Sequence, residues 1–111
     1  MKRRKPTIPD MLNRIVRRVV RRFDPERIVL FGSRARGTAG RDSDTDLLVV
    51  MPVKGSRHEK EVEVRCALHD IRTPKDIVVV TPDEFARYGH IVGTIACEAL
   101  REGKVLYVRP G

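Results

Sequence analysis

Two carboxylates separated by one residue, Asp44-Thr45-Asp46, stand immediately before the apolar run Leu47-Leu48-Val49-Val50-Met51. In an extended chain, side chains two apart share a face, so both acids point the same way. Two like charges at the head of a buried strand repel, and the arrangement is costly unless cations lie between them. Magnesium, a hard ion that takes carboxylate oxygens together with substrate phosphates, suits the pair. The plainer reading makes them turn acids, capping the loop or pairing with Arg41; Asp42 and Ser43 are assigned to that turn. Ten residues upstream of the pair, Gly32-Ser33 closes another apolar run, Ile28-Val29-Leu30-Phe31. Glycine lets the backbone approach a phosphate closely, and the amides that follow, with the Ser33 hydroxyl, can donate to it. No Gly-Lys-Ser/Thr follows, so this is not a Walker loop. Arg34 and Arg36 are further phosphate candidates, Arg36 preferred because Gly37 leaves room beside it; the plainer reading leaves both as solvated surface arginines.

A third carboxylate would complete a two-metal site, which binds both the attacking and the leaving oxygen. Asp70 and Asp76 are the candidates. Asp70 falls near a helix end, where an acid needs no function. Asp76 heads the apolar run Ile77-Val78-Val79-Val80 in the position Asp46 holds in its own run. If the two strands are neighbours, their leading carboxylates converge, and Asp76 is chosen.

These residues need elements to position them. Ile8, Met11, Leu12, Ile15, Val16, Val19, Val20 and Phe23 recur at helical spacing, opposite a face of Asn13, Arg14, Arg17, Arg18, Arg21 and Arg22. Asp24-Pro25 ends that helix. Strands are predicted over 28–31, 46–51 and 76–80, the second apolar on both faces and therefore an inner strand. Ser56 with Glu59 caps a helix through Ile71, although Val62, Val64, Cys66 and Leu68 also alternate as a strand would. Thr81-Pro82-Asp83-Glu84 opens another helix. Gly89 interrupts it, a last helix runs over 91–102 to Gly103, and 105–108 adds a short strand. The order gives an α/β (α+β) sandwich in which a small sheet packs with helices, one domain over residues 1–111.

The chain has 111 residues, 41% hydrophobic and 34% charged, with a net charge of +8 from 23 Lys and Arg against 15 Asp and Glu. That length buries roughly two-thirds of the unfolded surface without staples. The charge favours polyanionic ligands: nucleotides, nucleic acid or an acidic protein. No apolar run approaches the ~20 residues of a membrane span. The basic start, Met1-Lys2-Arg3-Arg4-Lys5, is followed by no apolar signal core, which argues against secretion and for the cytoplasm. Cys66 and Cys97 have no metal spacing and are expected as buried, reduced thiols. His58, His69 and His90 share no metal spacing, and Tyr88 and Tyr107 are read as packing residues. With 5% aromatics, a base-stacking platform is poorly supplied, and the arginine helix face is read as solvated rather than as a nucleic-acid surface.

Gly-Ser, a spacer of ten, Asp-x-Asp and a distant third acid together resemble the signature of the minimal nucleotidyltransferases of the DNA-polymerase-beta-like superfamily. "GSRARGTAGRDSDTDLLVV", "DIVVVTPDEF" and the closing "EALREGKVLY" are similar to this small branch over nearly the whole chain. The resemblance implies the polymerase-beta-like fold with a small mixed sheet, and transfer of a nucleoside monophosphate, AMP from ATP, with release of pyrophosphate. It implies that Asp44 and Asp46 hold two magnesium ions, that Asp76 binds one and helps deprotonate the acceptor hydroxyl, and that Gly32 and Ser33 hold the terminal phosphates. It also implies a partner: a small helical HEPN-type toxin whose tyrosine is adenylylated, with this chain as antitoxin. At this length a template-directed polymerase is not expected, and either a partner protein or a second copy of the chain completes the acceptor site or the acceptor is itself a protein side chain. The alternative is a binding module that neutralises its partner by contact, or one that binds nucleic acid. The intact trio Asp44, Asp46 and Asp76 favours the enzyme.

Overall fold

The structure, a computed structural model, describes residues 8–40 and 43–111. The basic start Met1–Lys5, the Ile8 side chain and the turn residues Arg41 and Asp42 lie outside the described residues. Helix α1 (Ile8–Phe23) follows its apolar stripe: Ile15 and Val19 are buried, with Leu12, Val16, Val20 and Phe23 packed beside them. After the turn at Asp24-Pro25 come β1 (Arg27–Phe31), the single-turn α2 (Ser33–Arg36) and β2 (Thr45–Val50). Then follow α3 (Arg57–Ala67), β3 (Lys75–Val80), α4 (Pro82–Tyr88), α5 (Ile95–Glu102) and β4 (Lys104–Val108). The caps read from the sequence are made. Ser56 accepts from the Glu59 amide, and Thr81 and Glu84 close a reciprocal capping box.

The four strands form one mixed sheet in the order β3-β2-β1-β4. β1 is antiparallel to both β2 and β4, whereas β2 and β3 run parallel. The doubly apolar β2 is an inner strand, covered on both faces. Leu47 and Val49 join Ile15, Val19, Val64, Leu68 and Ile71 in the larger core beneath α1 and α3. Leu48 and Val50 face the other way, toward Val29, Phe31, Val80, Ala99 and Phe85. Each fully buried Leu, Ile or Val contributes roughly 1.5–3 kcal/mol, so this double coverage is the main stabilising term.

Two local contacts fix the edges. Gly103 lets α5 and β4 close onto β1, because a Cβ there would overlap the Ala99 carbonyl and press into the Val29 side chain. On the outer edge of β3, the Val79 amide donates to the Glu61 carboxylate at 2.9 Å. Among the described residues no helix is long and apolar enough to cross a membrane.

Two expectations are corrected. The last helix begins at Ile95 and not at residue 91. Thr94 is its cap, accepting from the Cys97 amide, and Gly93 at φ 95° breaks the backbone just before it. Ile91 and Val92 fit a helical pattern in the sequence but lie exposed in the preceding turn. Cys66 is exposed, while Cys97 is buried as expected. α3 buries the face of Val64 and Ala67, and Cys66 lies off it.

Asp70, just after α3, pins α1. Arg18 donates from both terminal nitrogens to the Asp70 carboxylate, at 2.7 and 3.0 Å, and also to the Ala67 carbonyl at 2.8 Å. The hydrogen-bonded Arg18 guanidinium holds the Asp70 carboxyl well below the usual carboxylate range. The folded state therefore favours the ionised form. Its contribution is present above the ordinary value of about 4 and is lost as pH falls through the lowered one. Urea denaturation of wild type and Asp70→Asn should show a wild-type advantage at neutral pH that shrinks below about pH 4. A gap unchanged from pH 7 to pH 3 would refute this role.

Candidate active site

Backbone alternation decides which side chains meet at the C-terminal end of β1 and the N-terminal ends of β2 and β3. Thr45 is buried on the α1 side of the sheet, and its amide donates to the Pro74 carbonyl at 2.8 Å. Asp46 therefore projects from the opposite face, the one that carries α5. The parallel register pairs Asp46 with Asp76, so the two strands present their acids side by side. On the other flank, Phe31 pairs with Asp46 and delivers Gly32 against it. Asp44, just ahead of β2, is exposed.

Gly32 is fixed by sterics. Its φ of 75° and ψ of −157° fall in a region essentially reserved for glycine. A Cβ built there would overlap a carboxylate oxygen of Asp46. The glycine and the acid are thus in direct contact. The Gly32 carbonyl takes the amides of Ala35 and Arg36, each at 3.1 Å, which leaves the first amides of α2, those of Ser33 and Arg34, outside the helix ladder.

The four phosphate candidates sit together on this turn with different surroundings. Gly32 lies against Asp46 at the head of β2, and the Ser33 carbonyl accepts from the Thr38 amide at 3.0 Å. Arg34 braces the loop, its Nη2 donating to the Ser43 carbonyl at 2.6 Å, while its buried Nε has no partner among the described residues. Arg36 reaches α5 and pairs with Glu98 at 2.9 Å and Glu102 at 3.6 Å. Glu98 escapes sequence reasoning because no local pattern marks it; only the packing of α5 on β1 carries it to this end of the sheet.

Burial pushes the Asp46 carboxyl up, and the neighbouring charges of Asp76, Asp44 and Glu98 push it further, with Arg36 opposing. Asp76 is more than half exposed and lies 3.8 Å from Arg65. Among the described residues no three His, Cys, Asp or Glu side chains close into a metal cage. The donor set nevertheless suits a hard divalent cation: all three groups are carboxylates, and their mutual repulsion is what such an ion relieves. Asp44, Asp46 and Asp76 are the residues that would hold it.

A Gly-Ser turn against an Asp-x-Asp strand, with a third acid in register, is matched by a known family pattern. The sequence profile of the nucleotidyltransferase domain covers residues 12–103. The chain belongs to the nucleotidyltransferase domain family. Among solved structures, a protein from Sulfolobus solfataricus assigned provisionally as a nucleotidyltransferase is 26% identical, with a TM-score of 0.56, over 98% of this chain and 93% of that one. A toxin-antitoxin crystal structure with AMP-PNP gives a TM-score of 0.55 at 24% identity, over 88% of this chain and 73% of that one. A mutant of the toxin-antitoxin MntA-HpeT gives 0.54 at 22%, over the same 88% and 73%. The last two are likenesses of fold. No curated protein sequence gives a significant match. The fold of this nucleotidyltransferase domain is a mixed sheet with helices on both faces, and its family assignment agrees with the resemblance to minimal nucleotidyltransferases.

Two outcomes test the geometry. Gly32→Ala should lose about 1–3 kcal/mol from the glycine-only backbone alone, with more from the overlap with Asp46, read by urea denaturation. Asp46→Asn should raise the melting temperature of the metal-free protein at neutral pH, because it removes a charge that burial and three acids disfavour. Magnesium should then raise the melting temperature of the wild type but not of the variant. A lower metal-free melting temperature for Asp46→Asn would contradict the charge argument.

Proposed function

We propose that this nucleotidyltransferase domain transfers AMP from ATP to a hydroxyl group, using magnesium, and that its acceptor is a tyrosine of a helical HEPN-type partner. The observation that carries the reading is the contact of Gly32 with Asp46, in register with Asp76: a phosphate-compatible turn beside paired carboxylates. Gly32 and Ser33, with Arg34 and Arg36, face the triphosphate. Asp44, Asp46 and Asp76 would hold two magnesium ions, which supply neutralisation of the phosphate charge. The acceptor oxygen attacks the α-phosphorus and forms the new O–P bond. The bond from the α-phosphorus to the bridging oxygen breaks, pyrophosphate leaves, and Asp76 takes the hydroxyl proton. Alignment and charge compensation supply the rate in such a transfer, which needs no covalent nucleophile.

The antitoxin role draws its support from fold likeness: similar folds occur in toxin-antitoxin structures, one of them with AMP-PNP. Modification of the tyrosine would silence the toxin in the cytoplasm. The exposed arginines on α1 suit a protein partner that completes the acceptor site. Label transfer from α-labelled ATP with magnesium to a candidate helical partner tests this directly. Asp44→Asn/Asp46→Asn should reduce labelling by at least about a hundredfold, and partner tyrosine→Phe should abolish it. Equal labelling by wild type and variant would sink the catalytic reading.

A further inference from the structure

Arg36 is the last residue of α2, the helical turn that begins at the Gly32-Ser33 phosphate candidates. Its guanidinium is anchored from a distant element. Nη1 lies 2.9 Å from Glu98 and 3.6 Å from Glu102, one turn apart on α5. Both contacts use the same nitrogen. A guanidinium carries five N–H donors, two of them on Nη1, so those on Nε and Nη2 have no protein partner among the described residues.

The anchor is firm where it matters. α5 buries Ala96, Cys97 and Ala99, and Gly103 ties its end tightly against Val29 and Leu30 of β1. β1 is also the strand that delivers Gly32. Glu98 and Gly32 are therefore referred to the same strand, and Arg36 is spanned between them. The pair also lies beside the carboxylates, since Asp46 feels both the Arg36 and the Glu98 charge.

We propose that Glu98, assisted by Glu102, is a positioning residue for the nucleoside triphosphate: it holds Arg36 by Nη1 so that the remaining donors meet the phosphates bound at Gly32-Ser33. The inference rests on the nucleotidyl-transfer reading. A long exposed arginine loses much side-chain freedom on gripping an anion, and a side chain already held loses less. The opposite arrangement, a latch that keeps Arg36 away from phosphate, would need the ion pair to outcompete a triphosphate. The pair is 40% and 36% exposed, and contacts of that kind are weak in water.

Binding separates the two. Isothermal titration of a non-hydrolysable ATP analogue with magnesium is measured on wild type, Glu98→Gln, Arg36→Ala and the double variant. Glu98→Gln should weaken binding by about three- to tenfold, and Arg36→Ala by at least that much. The double variant should be no worse than Arg36→Ala alone, because Glu98 acts only through Arg36. Melting temperatures should stay near wild type, as expected for an exposed pair. Tighter or unchanged binding in Glu98→Gln, or additive losses in the double variant, would overturn the positioning role while the transfer reading stands. A wild type that binds no triphosphate would overturn both.

Discussion

Asp46 is held where a carboxylate is least welcome, half-buried against a glycine backbone and flanked by Asp44, Asp76 and Glu98. Everything else near that end of the sheet follows from tolerating it. β2 must be central, because only a central strand can receive Gly32 from one neighbour and Asp76 from the other. β3 must run parallel to β2, so that both strands begin at the same end and lead with their acids. An antiparallel β3 would carry Asp76 to the far end of the sheet. Gly32 must be glycine, since a larger residue would need the volume that the carboxylate occupies.

The two faces of the sheet divide the work. The face beneath α1 and α3 holds the larger core, and the Arg18–Asp70 clamp ties those helices together. The other face is covered more thinly by α4 and α5. At the acid end of the sheet that cover brings Glu98 of α5 close to Asp46, while Asp44 and Asp76 stay exposed. Stability is thus concentrated away from the crowded charges. The side that bears them is stitched by polar contacts, such as Arg36 with Glu98.

Sequence patterns carried further for some elements than for others. α1 was legible because eight apolar positions keep one period over sixteen residues. α4 was legible because Thr81, Pro82 and Glu84 leave little choice of starting point. The neighbourhood of Asp46 and Asp76 followed from two apolar runs with the same leading residue, and the register supplies it. The start of α5 was not legible: Ile91 and Val92 extend its apolar pattern, whereas Gly93 and Thr94 carry the decisive backbone information. The exposure of Cys66 depends on which face of α3 meets the sheet, and alternation at 62, 64, 66 and 68 blurs that face. Glu98 was invisible because its neighbours in space, Arg36 and Asp46, are brought to it only by the packing of α5 on β1.

The Glu61 carboxylate on the Val79 amide has a consequence for how copies of this chain can associate. Strand-to-strand addition needs open amides and carbonyls on both participating borders if it is to continue beyond a pair. Here the β3 border is capped near its C-terminal end by a side chain from its own covering helix, and the β4 border is short. A copy adding at β4 would present a capped border to the next arrival. Growth would stop there, so a sheet rich in Val and Leu is kept from templating a filament.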